Sequence, residues 1–419
     1  MVNESKRNIA IPGMCTALYR VHDDKADFSK KADSIAVGLT VGSWTDLPDA
    51  RKAEMEKHLG RTVSIDVHEG DGTPGSRYAD IRIAYPDINF SRDIPALLVT
   101  VFGKLSMDGR VRLLDLDVSE SFRSAFPGPK FGIEGVRELL GVHDRPLLMS
   151  IFKSVIGHDL KGLEEQFYQQ ALGGVDLIKD DEILFENEEI GIRRRVAVCM
   201  EAARRASEHT GQKLLYAVNL TGPTSKLAEQ ARTAISEGAN ALLFNVLSYG
   251  YDVLHELSSD PDINVPIAAH PALAGAFYPS PHYGISASLL LGKLMRLAGA
   301  DLVLFPSPYG SVVMPKQENM AIKEALLDPA PPARTSFPVP SAGIHPGLVP
   351  LILRDFGSEV VVNAGGGVHG HPMGAAAGGR AFRQAIDASL EGVSLQEAAS
   401  ASGREELAAA IKAWGVREG

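Results

Sequence analysis

From about residue 147 onward, short apolar runs alternate with longer amphipathic ones. The apolar runs cover 147–152, 175–178, 213–218, 241–244, 265–269, 301–305, 336–339 and 359–362. Each is strand-length and apolar on successive positions, as expected of strands covered on both faces. Helical periodicity appears over 160–171, 190–209, 225–237, 286–298 and 373–391. Eight strand–helix units in about 280 residues predict a closed (β/α)8 TIM barrel in preference to an open doubly wound sheet. Before residue 140 the rhythm is absent. Strands are expected over 15–21, 79–85, 96–103 and 111–118, and helices over 27–38 and 46–59. That mixture suits a small α+β domain of ferredoxin-like type. With loop residues at Pro127-Gly128-Pro129, we place the boundary near 140. The expected architecture is therefore α/β, with an N-terminal α+β domain (1–140) and a C-terminal barrel (141–419).

Polar residues recur where the barrel strands end, on the face that carries chemistry in such barrels. They are Lys153, then Lys179 with Asp181 and Glu182, then Asn219, Asn245 and His270. The stretches 306–310, 341–345 and 363–367 follow the last three strands. The sharpest stretch is 173–182, an apolar strand running into Lys179, Asp180, Asp181 and Glu182. Asp181 and Glu182 are hard oxygen donors of the kind that hold Mg²⁺. A lysine joins such a set only as the carbamate formed with CO₂. Read alone, the acidic residues equally suit the start of the next helix. The ring of polar strand ends favours a site. Glycines at 365–367 and Gly343 lie where barrels hold phosphate, and glycine lets backbone N–H groups approach it. Lys153 suits a phosphate or an oxyanion, and His270 suits substrate binding or proton relay. His369 and His371 are read as structural.

Composition narrows the class. The 419 residues suit two domains and, being 45% hydrophobic, can bury a large core. A net charge of −10 argues against nucleic acid or an anionic membrane surface as partner. Two cysteines, Cys15 and Cys199, form no disulfide framework and no zinc cluster, which fits a reducing cytoplasm. No signal core or membrane span is expected.

The 173–182 stretch resembles the metal motif of the RuBisCO superfamily, and the resemblance extends over nearly the whole chain. It implies Mg²⁺ held by a carbamylated Lys179, Asp181 and Glu182. It also implies a head-to-tail homodimer whose active site lies between one barrel and the partner's N-terminal domain. Several positions depart from the carboxylases. The loop at 305–312 has no lysine, Pro271 follows His270 where an arginine belongs, Gly38 replaces a glutamate ahead of Gly42-Ser43-Trp44, and Thr100 replaces an asparagine. The stretches 101–106, 303–312, 337–347 and 363–372 instead resemble the RuBisCO-like enolases of methionine salvage, which act on 2,3-diketo-5-methylthiopentyl-1-phosphate. That resemblance implies an isomerase, a keto–enol tautomerase, acting on a phosphorylated diketone. Lys104 would be its general base. Lys153, Lys179, Asp180, Asp181, Glu182, His270, Gly343, Gly365 and Gly366 would bind substrate. Without the resemblance, Lys104 reads as a surface lysine ending a strand. A lysine base must act neutral, which burial and neighbouring cations favour. The competing expectations are a RuBisCO-like isomerase or decarboxylase of another sugar phosphate, and a non-catalytic binding protein on the same fold.

Overall fold

Thirteen strands, numbered in chain order, form two sheets among the described residues. They are β1 (Met14–His22), β2 (Arg61–His68), β3 (Tyr78–Pro86), β4 (Arg110–Asp117), β5 (Leu147–Ile151), β6 (Leu177–Lys179), β7 (Leu215–Leu220), β8 (Ala241–Phe244), β9 (Ile267–Ala269), β10 (Gly284–Ile285), β11 (Leu302–Pro306), β12 (Phe337–Ser341) and β13 (Val361–Ala364). The computed structural model describes residues 11–42, 48–153, 156–330 and 334–417. Residues 1–8, Ser43, Trp44 and the first two residues of the helix expected over 46–59 lie outside that range.

The chain divides into two units at Pro127–Gly128. The first takes the residues up to Pro127 together with 250–252 and 273–290, and the second takes the rest. The division expected near 140 differs because helix Gly132–Leu140 contributes Ile133, Val136 and Leu140 to the barrel core.

In the first unit the strand order is β10-β4-β1-β3-β2. β1 is mostly buried and pairs antiparallel with both β3 and β4. β2 has no apolar stripe to announce it, because it is a largely exposed edge strand. The segment 96–103, expected as a strand, is helical: Ile94–Leu98 is an α-turn that widens into a π-turn over Val99–Gly103. The Asp93 carboxylate caps it by accepting from the Ala96 N–H at 2.7 Å, and Pro95 supplies a helix-ready φ. Those capping residues outweigh the strand preference of Val99, Thr100 and Val101.

The second unit is a parallel eight-stranded barrel, β5 to β9 and β11 to β13. Its interior is filled by alternate residues: Leu147 and Met149, Leu177, Leu215 and Ala217, Ala241 and Leu243, Ala268, Leu302 and Leu304, Phe337 and Val339, and Val361. The helix Gly132–Leu140 plugs one end. No backbone ladder joins β12 to β13 among the described residues, although the two lie side by side. Pro338 and Pro340 explain this. Phe337 N–H donates to the Asp301 carbonyl just before β11 and Ser341 C=O accepts from the Ser307 N–H just after it, so the even-numbered positions, which lack N–H, face β13. Asn363 Nδ2 instead donates to Ser341 Oγ at 2.8 Å across the seam.

Candidate active site

Continuing the inward alternation by one step adds a polar layer to the apolar barrel core. Lys179 follows Leu177, Asn219 follows Ala217, Asn245 follows Leu243, His270 follows Ala268, and Ser341 and Asn363 follow Val339 and Val361. The site is therefore the top layer of the core, and its residues are fixed by the same register as the leucines beneath.

Lys179 is fully buried. Its Nζ donates to the Asp180 carbonyl at 2.8 Å and lies 3.6 Å from Glu182 Oε2. Burial lowers its pKa below the ordinary lysine range, with Glu182 and Asp181 opposing. Lys153 Nζ lies 3.1 Å from Asp181 Oδ2. The backbone of Lys153 is clamped by Gln166, whose Nε2 donates to the Lys153 carbonyl at 2.8 Å while its Oε1 accepts the Lys153 N–H at 3.2 Å. A Cβ on Gly365 would lie 2.6 Å from Lys153 Cε, so this glycine lets the lysine pass.

His270 Nε2 is 3.5 Å from Glu182 Oε2. Burial, and then Lys179, push its pKa down to about 3, so the ring is neutral and the contact is no ion pair. The Ala272 N–H reaches Nδ1 at 3.2 Å, which assigns the ring proton to Nε2, facing Glu182. Asn219 and Asn245 each donate from Nδ2 to the Glu182 carbonyl at 3.2 Å. Asn245 Oδ1 is buried without a partner among the described residues.

Among the described residues, no three His, Cys, Asp or Glu side chains are arranged to hold a metal ion. Two carboxylates and one buried lysine converge instead. The donor set is one anionic oxygen short, which is what a carbamate on Lys179 would add.

The loops after β11 and β12 meet backbone to backbone. A Cβ on Gly310 would overlap the Ala342 carbonyl, and one on Gly343 would lie 2.4 Å from Ser311 N. Gly343 has φ +68°, a conformation glycine adopts without strain. Gly366 begins a short helical turn and has open space at its Cα. His369 and His371 reach different carbonyls, of Ile151 at 2.8 Å and Glu406 at 2.9 Å, so they form no metal pair.

Two expected residues sit elsewhere. The Asp180 carboxylate is completely buried on the outer side of β6, engaged by Tyr216 and Arg195, and does not face this layer. Lys104 belongs to the first unit, between the π-turn and a 3-10 turn over Leu105–Met107 and so not at a strand end. It is exposed and borders a groove with Lys31, Ile35, Leu39, Met107 and Asp108. Lys31 is paired to Asp108 at 2.9 Å, whereas Lys104 makes no ion pair among the described residues. The Tyr19 hydroxyl pins the turn before Lys104 by donating to the Val101 carbonyl at 2.6 Å. Neither Gln166 nor Tyr19 carries a motif that marks it in the sequence.

The profile of the family described as ribulose bisphosphate carboxylase large chain, catalytic domain, matches residues 132–320 and 332–414. A 2,3-diketo-5-methylthiopentyl-1-phosphate enolase of Geobacillus thermodenitrificans is 56% identical over 409 residues, covering 96% of this chain and 98% of that protein. One of Bacillus licheniformis is 54% identical over 404 residues, covering 95% and 97%. The crystal structure of a rubisco-like protein (MtnW) from Alicyclobacillus acidocaldarius superposes with a TM-score of 0.91 at 49% identity, covering 97% of this chain and all of that one. A dimeric archaeal Rubisco from Hyperthermus butylicus superposes at 0.86 with 29% identity, covering 99% and 98%.

Proposed function

Because the chain belongs to the ribulose bisphosphate carboxylase large-chain family, we propose that it is a 2,3-diketo-5-methylthiopentyl-1-phosphate enolase. The reaction moves one proton from the phosphate-bearing carbon and one onto the neighbouring carbonyl oxygen, giving the 2-hydroxy-3-keto enol phosphate. It is an isomerisation and not a carboxylation. The observation that carries this reading is the buried Lys179 beside Glu182, with Asp181 next to it held by Lys153, in a layer without a third carboxylate among the described residues.

Lys179, as the carbamate that its neutral Nζ would form with CO₂ by making an N–C bond and releasing one proton, would hold Mg²⁺ together with Asp181 and Glu182. The bound ion supplies positive charge beside the oxygen on which negative charge develops. Lys153 supplies a second positive charge from its seat over Gly365. His270 donates from Nε2, and the neutral ring adds no charge that would compete with the ion. Gly366, with open space at its Cα, leaves room for the phosphate, and the backbone N–H groups of Gly343 and Gly365, whose loops pack against Ser311 and Lys153, complete its seat.

Lys104 removes the proton. We assign it to the partner subunit's site in a head-to-tail homodimer, supported by its lack of an ion pair among the described residues and its exposure on the first unit. The two buried free thiols, Cys15 and Cys199, suit the cytoplasm. No helix of the described residues is long and apolar enough to cross a membrane.

The test is an absorbance assay. Protein preincubated with Mg²⁺ and bicarbonate is mixed with the diketone phosphate. An ultraviolet band from the enol appears and is abolished by chelation. A folded, metal-loaded protein that gives no band refutes the assignment.

A further inference from the structure

Asp180 lies between two residues that face the site yet takes no part in its inner layer. We propose that it is a positioning residue whose outward carboxylate, gripped by Tyr216 and Arg195, sets the rotation of the 179–182 stretch so that Lys179 and Asp181 face inward. This rests on the metal-site reading given above.

Successive strand residues point to opposite faces, so fixing one side chain outward fixes its neighbours inward. Both Asp180 oxygens are engaged. Tyr216 Oη donates to Oδ1 at 2.6 Å, the Asn219 N–H donates to Oδ2 at 2.9 Å, and Arg195 Nη2 lies 3.3 Å from Oδ2. These partners come from β7 and from helix Ile192–Thr210, so the carboxylate ties β6 to both. The grip is itself immobilised. Arg195 is buried and donates from Nη1 to the Ile190 carbonyl at 3.1 Å. The Tyr216 ring is packed edge-on by Phe167 at 5.0 Å and Phe152 at 6.3 Å. On the inner side, Asn219 and Asn245 hold the Glu182 carbonyl, so the stretch is fixed at both ends. A buried aspartate–arginine pair adds little net stability, because desolvation offsets the attraction. Its product here is geometry. Ligands to a metal must be held within about 0.5 Å of their working positions.

The discriminating variant is Tyr216→Phe, which removes the hydroxyl that grips Asp180 and keeps the packed ring. The control is Ser150→Ala. Ser150 Oγ donates to Gln170 Oε1 at 2.7 Å, equally buried, on adjacent β5 opposite Ile178, and makes no hydrogen bond to the 179–182 stretch. Mn²⁺ dissociation constants are measured by electron paramagnetic resonance in bicarbonate buffer, alongside thermal melts. Both variants are expected to lower the melting temperature by a similar few degrees, and only Tyr216→Phe to weaken Mn²⁺ binding, by about 10-fold, as for other groups that orient metal ligands. Equal Mn²⁺ affinities for the two variants, within a factor of about two of wild type, would overturn the positioning role while leaving the metal site standing. Wild-type protein that binds no Mn²⁺ would overturn the metal site itself, and this inference with it.

Discussion

Replacing Gly365 by alanine tests whether Lys153 works from the seat the structure gives it. The new Cβ would lie 2.6 Å from Lys153 Cε, and its next neighbours, Cβ and Cδ1 of Ile151, are at an ordinary 3.7 Å. Gly365 has φ −102°, so alanine meets no left-handed strain. The whole conflict falls on the flexible end of a lysine, and Lys153 swings aside. Forcing such a side chain off its rotamer costs about 0.5–1.5 kcal/mol. In a chain of 419 residues that lowers the melting temperature by only about 0.5–2 °C. The functional loss is larger. Lys153 leaves its 3.1 Å position beside Asp181, and a hydrogen bond from a charged group contributes about 1.5–3 kcal/mol. If that interaction also holds substrate, kcat/KM falls about 10- to 150-fold. The assay is the enol absorbance under initial-rate conditions, paired with a melt. A kcat/KM within twofold of wild type would show that Lys153 does not act from this seat. A melting temperature lower by more than about 10 °C would show that the lysine does not yield.

Lys104→Ala removes an exposed side chain with no ion pair among the described residues, so the melting temperature stays within about 1 °C while turnover falls by about 10²–10⁴, the range for a general base; full turnover in a folded, metal-loaded protein ends that assignment. Asp176→Asn probes a buried carboxylate whose pKa burial raises, but which Arg383 and Arg145 together hold below the usual range. Its folded value lies below its unfolded one, so its stabilisation is complete above about pH 4 and is lost as pH falls through the folded value. Urea unfolding should show the variant about 3–5 kcal/mol less stable at pH 7, with the gap narrowing only below about pH 4; a gap that narrows between pH 7 and pH 5 contradicts the sign.

The barrel was readable in the sequence because parallel strands covered on both faces are written as continuous apolar runs. Each run ends where the alternation reaches Lys179, Asn245 or His270. The segment 96–103 was misleading because an apolar run of six residues fits either period, and the deciding signal, Asp93 with Pro95, lies ahead of it. β2 was silent because an exposed edge strand needs no apolar stripe. β10 is two residues long and pairs with a strand about 170 residues earlier, which no local pattern encodes. Sequence spacing groups Asp180 with its neighbours, because spacing does not say which side of a strand wall a carboxylate occupies until its partners, Tyr216 and Arg195, are known.

The prolines of β12 bear on how the mouth of the barrel moves. Seven of the eight strand boundaries are zipped by amide ladders, and a shift along any of them would break several backbone bonds together. At the eighth, a small shear loosens packing and one Asn363–Ser341 hydrogen bond. The loops bearing Gly343 and Gly365 spring from the two strands that flank this boundary. Compliance is thus concentrated where the barrel would close on a phosphate, and the Lys179–Glu182 wall keeps its full complement of ladders.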